Sequence, residues 1–316
     1  MAETYLQKLA AGFQRGQHLC VGIDPHPYLL DAWGLDDSAA SAEKFAREVI
    51  AQGAGHALAF KPQVAFFERF GAAGYVALER ALDDARQLGA AVIADAKRGD
   101  IGTSFAAYAD AWLTPGSPLE ADALTVAAYQ GFGSIAHAIE LATAHEKGVF
   151  VLAATSNPEA KATQLARRAD GQTVAASIVT AAEAANRDFA RSGTPAKQSR
   201  CDSGSAATQS VPARPVGPVG VVLGATLKLA EFGIDTAHRE KPQQPETAAV
   251  TEPALPVLAP GFGAQGADPR DAEKLFGRYA PSLIANESRS LLAGGSKGLR
   301  ERIAQRAALI QEVMQS

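Results

Sequence analysis

The sequence predicts an α/β protein built on a parallel sheet, with a (β/α)8 TIM barrel as the expected closed form. Three observations carry this. Eight short apolar runs recur along the 316 residues. Stretches with a 3.6-residue apolar period lie between most of them. The runs are continuously apolar and do not alternate, which marks strands buried on both faces, as in parallel sheets. Eight β-then-α units are what a TIM barrel requires, although a doubly wound sheet uses the same units.

In chain order the runs are LCVGID (19–24), HALAFK (56–61), AAVIADA (90–96), ADALTVA (121–127), VFVLAA (149–154), PVGVVLG (218–224), LPVLAP (255–260) and SLIAN (282–286). The opening MAETYLQKLAAGFQRGQ reads as a short amphipathic helix. Helical periodicity then covers 39–52, 66–88, 101–112, 133–144 and 174–189, and 297–313 closes the chain. Two segments break the rhythm. Residues 192–217 are rich in Ser, Gly, Pro and Ala and have no aromatic side chain, and 237–254 are polar and contain proline. Both are expected to be surface insertions within one barrel domain spanning 1–316, because neither has the apolar content for a second core.

Composition narrows the function classes. Hydrophobic residues are 47% and charged residues 20%, enough apolar content for a large core. Alanine is roughly a fifth of the chain, which favours close-packed helices. Thirty Lys+Arg against 34 Asp+Glu give a net charge of -4, so neither nucleic acid nor an anionic membrane is an expected partner. Cys20 and Cys201 form neither a disulfide framework nor a CxxC metal site, and Cys20 sits in an apolar run where it serves as a small hydrophobe. No apolar stretch approaches about 18 residues and the N-terminus lacks a signal-peptide core, so a cytoplasmic location is expected.

The stretch with most chemical content is IADAKRGDIGTS, 93–104. Side chains i and i+2 of a strand share a face, so Asp95 and Lys97 point together at a strand's C-terminal end, where active sites of parallel α/β folds lie. Asp100 follows in the turn and Ser104 one helical turn on. Carboxylates flanking an ammonium keep it charged, since opposite charges at about 4 Å interact by roughly 4 kcal/mol at an effective dielectric of 20. Such a lysine is suited to proton donation and not to nucleophilic attack, which needs a neutral amine. The plainer alternative is a surface salt-bridge network at a strand end.

A second signal is APGFGAQGAD, 259–268, followed one unit later by ANESRS with Arg289. Glycines let backbone N–H groups approach an anion, and loops seven and eight of such barrels commonly hold phosphate. A tight turn without a ligand would use the same glycines. Asp24 in VGIDPHP, Lys61 in AFKPQ and Ser156 in AATSNPEA also end apolar runs. The histidines show no metal-ligand spacing, and no Gly-x-Gly-x-x-Gly follows the first run.

With these motifs in hand, the chain resembles the orotidine-5'-phosphate decarboxylase family, in its longer bacterial (type 2) subgroup. The most specific element is Asp-x-Lys-x-x-Asp-Ile, here Asp95, Lys97, Asp100 and Ile101, with VGIDPHP, FKPQVAFFE, VVLGAT and PGFGAQGADP in order around it. The pattern departs at Ala127 and Ala128 before Tyr129, where the subgroup has a small polar residue and a proline, and at Ser104, commonly threonine. The resemblance implies a (β/α)8 barrel acting as a homodimer with sites at the subunit interface. It implies decarboxylation of orotidine 5'-monophosphate to UMP, the last step of pyrimidine nucleotide synthesis, without metal or organic cofactor. By motif, Asp95 and Lys97 would face the reacting C6, with Asp100 and Ser104 entering from the partner subunit. Asp24 and Lys61 would hold ribose hydroxyls and Ser156 the pyrimidine. Gln265 and Arg289 would hold the phosphate, and Ile101, Pro260, Gly261 and Ser288 complete the substrate-binding set.

Two rivals stand beside this. Related barrels use the same Asp-x-Lys-x-x-Asp core for Mg2+-dependent decarboxylation or aldol chemistry on keto-sugar phosphates, but place a metal-binding glutamate where this chain has Lys61. A non-catalytic sugar-phosphate-binding protein would leave Asp95, Lys97 and Asp100 unexplained.

Overall fold

A computed structural model describes residues 3–192, 214–238 and 252–315. Eight parallel strands close into a barrel in sequence order: β1 (Leu19–Ile23), β2 (Ala59–Pro62), β3 (Ala91–Arg98), β4 (Ala123–Val126), β5 (Gly148–Ala154), β6 (Val219–Leu223), β7 (Val257–Pro260) and β8 (Leu283–Glu287). Closure is made by β1 pairing with β8, Leu19 opposite Ala285 and Val21 opposite Glu287. Each expected apolar run overlaps its strand, and the choice left open between barrel and doubly wound sheet is decided for the barrel.

Side-chain parity explains why the runs are apolar throughout. Val21, Phe60, Val92, Leu124, Val151, Val221, Val257 and Ala285 point outward and pack under the helices. The residues between them, Cys20, Ala59, Ile93, Ala123, Phe150, Val222, Leu258 and Ile284, point inward and form a second apolar cluster. That cluster takes in Tyr5, Leu6 and Leu9 from the N-terminal helix Tyr5–Gln14, which seals the bottom of the barrel. Thr4 and Gln7 cap this helix reciprocally. Burying each valine, leucine, isoleucine or phenylalanine among these contributes on the order of 1.5–3 kcal/mol. Gly148 is the accommodation: a Cβ there would overlap the Tyr5 ring and stand 3.0 Å from Ala123 Cβ.

The helices follow the expected spans, with differences. The stretch expected as one helix over 66–88 is two, Ala65–Glu68 and Gly71–Gln87, broken where Gly71 adopts φ +60°. The 133–144 helix begins as a 3-10 turn, Phe132–Ile135, before Ala136–Ala144. The others, Ala39–Gly53, Gly102–Leu113, Val174–Arg191 and Leu299–Gln315, agree within a few residues. Most of the two expected insertions lies outside the described residues. The described residues 214–217 and 252–254 meet just before β6 and β7 begin. Val216 bridges Ala254, the Ala254 amide donates to Pro215 O at 2.7 Å, and Arg187 pairs with Glu252 at 3.1 Å.

Candidate active site

Moving two residues up the inward-facing parity changes the chemistry of the barrel lining. The apolar layer of Ala59, Ile93, Ala123, Leu258 and Ile284 gives way to Lys61, Asp95, Thr125, Pro260 and Asn286. Lys61 and Asp95 are both almost fully buried, and Lys61 Nζ donates to Asp95 Oδ2 at 2.6 Å. Lys97 Nζ donates to the other oxygen, Oδ1, also at 2.6 Å. Gln63 Nε2 adds a bond to Oδ2 at 3.1 Å and the Thr125 hydroxyl one to Oδ1 at 3.0 Å. One carboxylate therefore holds two ammonium groups.

Burial alone would raise the Asp95 pKa, but the charges of Lys61 and Lys97 override it and hold the carboxyl well below its usual range. For Lys61, burial pulls downward, and Asp95 and Asp24 outweigh it, leaving the ammonium above its ordinary value. Lys97 differs from Lys61 in exposure, its side chain being 44% accessible against 6%. It is the cation that faces the mouth. Its backbone sits at φ +48°, a left-handed conformation that costs a non-glycine residue on the order of 1–3 kcal/mol. The β3–β4 register shifts between Ala94 and Arg98, so a bulge carries Lys97.

Asp100 departs from the expectation that two carboxylates flank Lys97. Within one chain its Oδ1 accepts the Ile101 amide at 2.8 Å, and among the described residues it makes no ion pair with Lys97. The second charged partner of the cluster is the cation Lys61. Ile101, 61% exposed, and Ser104 are exposed at the start of the helix Gly102–Leu113, and Asp100 just before them is part-exposed. Tyr108 and Tyr129 are exposed nearby in the same helix and the loop after β4.

The remaining expected residues stand at the same barrel end. Asp24 follows β1, and its Oδ1 is buried without a hydrogen-bond partner among the described residues. Ser156 lies beyond β5, its Cβ 3.4 Å from where a Cβ on Gly224 would stand. Pro260 ends β7 and its carbonyl accepts the Ala225 amide at 2.8 Å. Gly261 turns at φ +121°, where a Cβ would stand 3.5 Å from Gln265 Oε1 in the 3-10 turn Gly263–Gln265. Ser288 packs where Gly22 lacks a side chain, and among the described residues its buried Oγ has no partner. Arg289 is exposed at the start of a short helix, Arg289–Leu292. Its charge reaches His26, whose pKa is lowered first by burial and further by Arg289 and Arg69, against Asp24.

Sequence reading missed Thr125 and Gln63, and it gave Lys61 a ribose contact without its ion pair. Parity alone points to Thr125, the polar residue in an otherwise apolar ALTV strand, and to Gln63, two residues beyond Lys61.

The model of the orotidine 5'-phosphate decarboxylase / HUMPS family matches residues 17–291, a span that contains Asp24, Lys61, the Asp95–Lys97 cluster and Arg289. The chain belongs to that family. Among curated members, the orotidine 5'-phosphate decarboxylase of Salinispora tropica is 44% identical over 277 residues, covering 88% of this chain and 85% of that one. That of Corynebacterium glutamicum is 40% identical over 292 residues, covering 92% and 91%. A crystal structure from Streptomyces avermitilis, provisionally described as an orotidine 5'-phosphate decarboxylase, superposes with a TM-score of 0.81 at 39% identity and covers 100% of this chain and 98% of that one. Family membership and the closed barrel agree with what the Asp95-Ala96-Lys97 motif and the eight runs predicted. No helix among the described residues is long and apolar enough to cross a membrane.

Proposed function

We propose that this chain decarboxylates orotidine 5'-monophosphate to UMP and CO2, with Lys97 as the proton donor. The observation that carries the proposal is the Lys61–Asp95–Lys97 cluster, a buried carboxylate ion-paired at 2.6 Å to two ammoniums with only Lys97 turned to the mouth. In the reaction the C6–carboxylate bond breaks and its electron pair stays on C6, in an orbital with no conjugated sink. A fixed positive charge beside that carbon stabilises the developing carbanion. The Lys97 ammonium then gives its proton to C6 and recovers one from water. Asp95, ionised because Lys61 and Lys97 hold it so, fixes the ammonium in place. Asp24 offers a buried, unpartnered oxygen to a ribose hydroxyl, and the Gly261–Gln265 loop with Arg289 supplies donors for the phosphate, remote from C6. Binding energy gained there serves to orient the base.

Exposed Ile101 and Ser104, a part-exposed Asp100 that makes no ion pair with Lys97 among the described residues, and exposed Tyr108 and Tyr129 support a homodimer in which Asp100 and Ser104 complete the partner's site. The Mg2+-dependent rival needs a free carboxylate at the end of β2, where Lys61 stands and occupies Asp95. The test is the ultraviolet assay of orotidine monophosphate loss, with and without EDTA, on wild type and on Lys97→Ala. Turnover that ignores EDTA and falls at least about 10³-fold, or roughly 4 kcal/mol, in Lys97→Ala is expected. Near-normal turnover in folded Lys97→Ala removes the assigned donor, and an EDTA-abolished activity returns the metal-dependent reading.

A further inference from the structure

The bulge in β3 leaves one residue of β4 opposite three. Ala94 pairs with Leu124 and Arg98 with Val126, so Asp95, Ala96 and Lys97 all stand against Thr125. A bulge frees ladder N–H groups from strand partners, and such groups need another acceptor when buried. The Lys97 amide finds one in a side chain: it donates to Thr125 Oγ1 at 2.9 Å. The same oxygen lies 3.0 Å from Asp95 Oδ1, the atom that holds Lys97 Nζ at 2.6 Å. Ala94 O, at 3.5 Å, is the other acceptor in reach of the hydroxyl. A hydroxyl has a single proton to give, and the ionised carboxylate is both nearer and the stronger acceptor. Thr125 Oγ1 therefore receives the backbone of Lys97 and donates to the counter-ion of its side chain. Lys97 stands at φ +48°, a conformation lysine seldom adopts unless its surroundings impose it.

We infer that Thr125 is a positioning residue for Lys97. It ties the lysine's bulged backbone and the Asp95 carboxylate into one frame, so that the ammonium meets the reacting carbon from a fixed direction. The inference rests on the proton-donor role proposed for Lys97. Gln63, bonded to Asp95 Oδ2 at 3.1 Å, holds the carboxylate from the other neighbouring strand and leaves the Lys97 backbone untouched.

Thr125→Val keeps the branched shape and removes the hydroxyl. Its kcat should fall at least about tenfold while KM stays within about threefold, because the ribose and phosphate groups are unaltered. Thr125→Ser, which keeps the hydroxyl and loses the methyl, should return kcat to within about threefold of wild type. A purely packing role gives the opposite order, with Thr125→Ser the worse variant and the loss read in the melting temperature. That order, or a Thr125→Val kcat within twofold of wild type, overturns the inference. Thr125→Ala is measured in parallel and judged by the same kcat and KM criteria should the valine variant not fold. Failure of both to fold makes the hydroxyl a structural requirement and likewise overturns it. Lys97→Ala separates the two levels: an active Lys97→Ala defeats the donor role itself, whereas an inactive one beside an unimpaired Thr125→Val defeats only the positioning.

Discussion

A single carboxylate with both oxygens committed to ammonium groups sets the character of this site at the residue scale. Lys61 and Lys97 hold the Asp95 carboxyl well below its usual range and so make it a poor proton acceptor, which in the proposed reaction leaves it the part of orienting and balancing charge. The i, i+2 spacing made the Asp95–Lys97 pair legible in the sequence, since both residues belong to one strand. Lys61 was legible as a strand-end cation, but its pairing with Asp95 depends on the β2–β3 neighbour relation, which no local window contains. Thr125 was hidden for the same reason, and the bulge that gives it three opposite residues appears only in the β3–β4 register. Arg289 lends itself to a test at this scale. It is exposed at the start of the helix after β8, where a guanidinium can grip a phosphate dianion in two-pronged fashion. Losing one charge-assisted pair costs on the order of 1.5–3 kcal/mol, so Arg289→Ala should lower kcat/KM for the nucleotide at least about tenfold. Phosphate-free orotidine, with nothing for Arg289 to hold, should lose almost nothing. Equal fractional losses on the two substrates would take Arg289 out of the phosphate site.

Among the elements, the N-terminal helix does the least expected work. Its amphipathic pattern was legible, but not its target, because the apolar surface that receives Tyr5, Leu6 and Leu9 is assembled from eight separate strands. Gly148 reports on that docking. Its missing side chain admits the Tyr5 ring, and its φ is not positive, so the cost of filling the space is packing and not backbone strain. Gly148→Ala should destabilise the protein by about 1–3 kcal/mol, read as a lower urea midpoint with an unchanged slope. Adding Tyr5→Ala to Gly148→Ala should cost less than the two single changes summed, because the ring that clashes is gone. Strict additivity would show that the helix is not seated against Gly148. The break in the helix expected over 66–88 teaches the complementary lesson. Apolar periodicity continues smoothly through Gly71, and only the left-handed turn there, at φ +60°, separates the two pieces.

For the whole molecule, local periodicity supplied the eight units but could not choose between a closed barrel and an open sheet. Closure resides in the β1–β8 pairing, between residues more than 260 positions apart. In the proposed homodimer the site is shared between chains: Ile101 and Ser104 are exposed, and among the described residues Asp100 makes no ion pair with Lys97 of its own chain. If Asp100 serves the partner's site, two inactive proteins should complement. A Lys97→Ala subunit paired with an Asp100→Ala subunit has one site carrying both defects and one carrying neither. Random exchange should then restore up to about a quarter of wild-type activity. Mixed dimers that form and stay as inactive as their parents would assign Asp100 to its own subunit's barrel.

The sealed floor of the barrel has a consequence for traffic. With Tyr5, Leu6 and Leu9 stoppering the interior from below, the protein is a cup and not a tube. For the proposed reaction, substrate, departing CO2 and the water that would recharge Lys97 all share one rim. In the proposed reaction, substrate binding, CO2 release and proton resupply would then be governed by the same doorway.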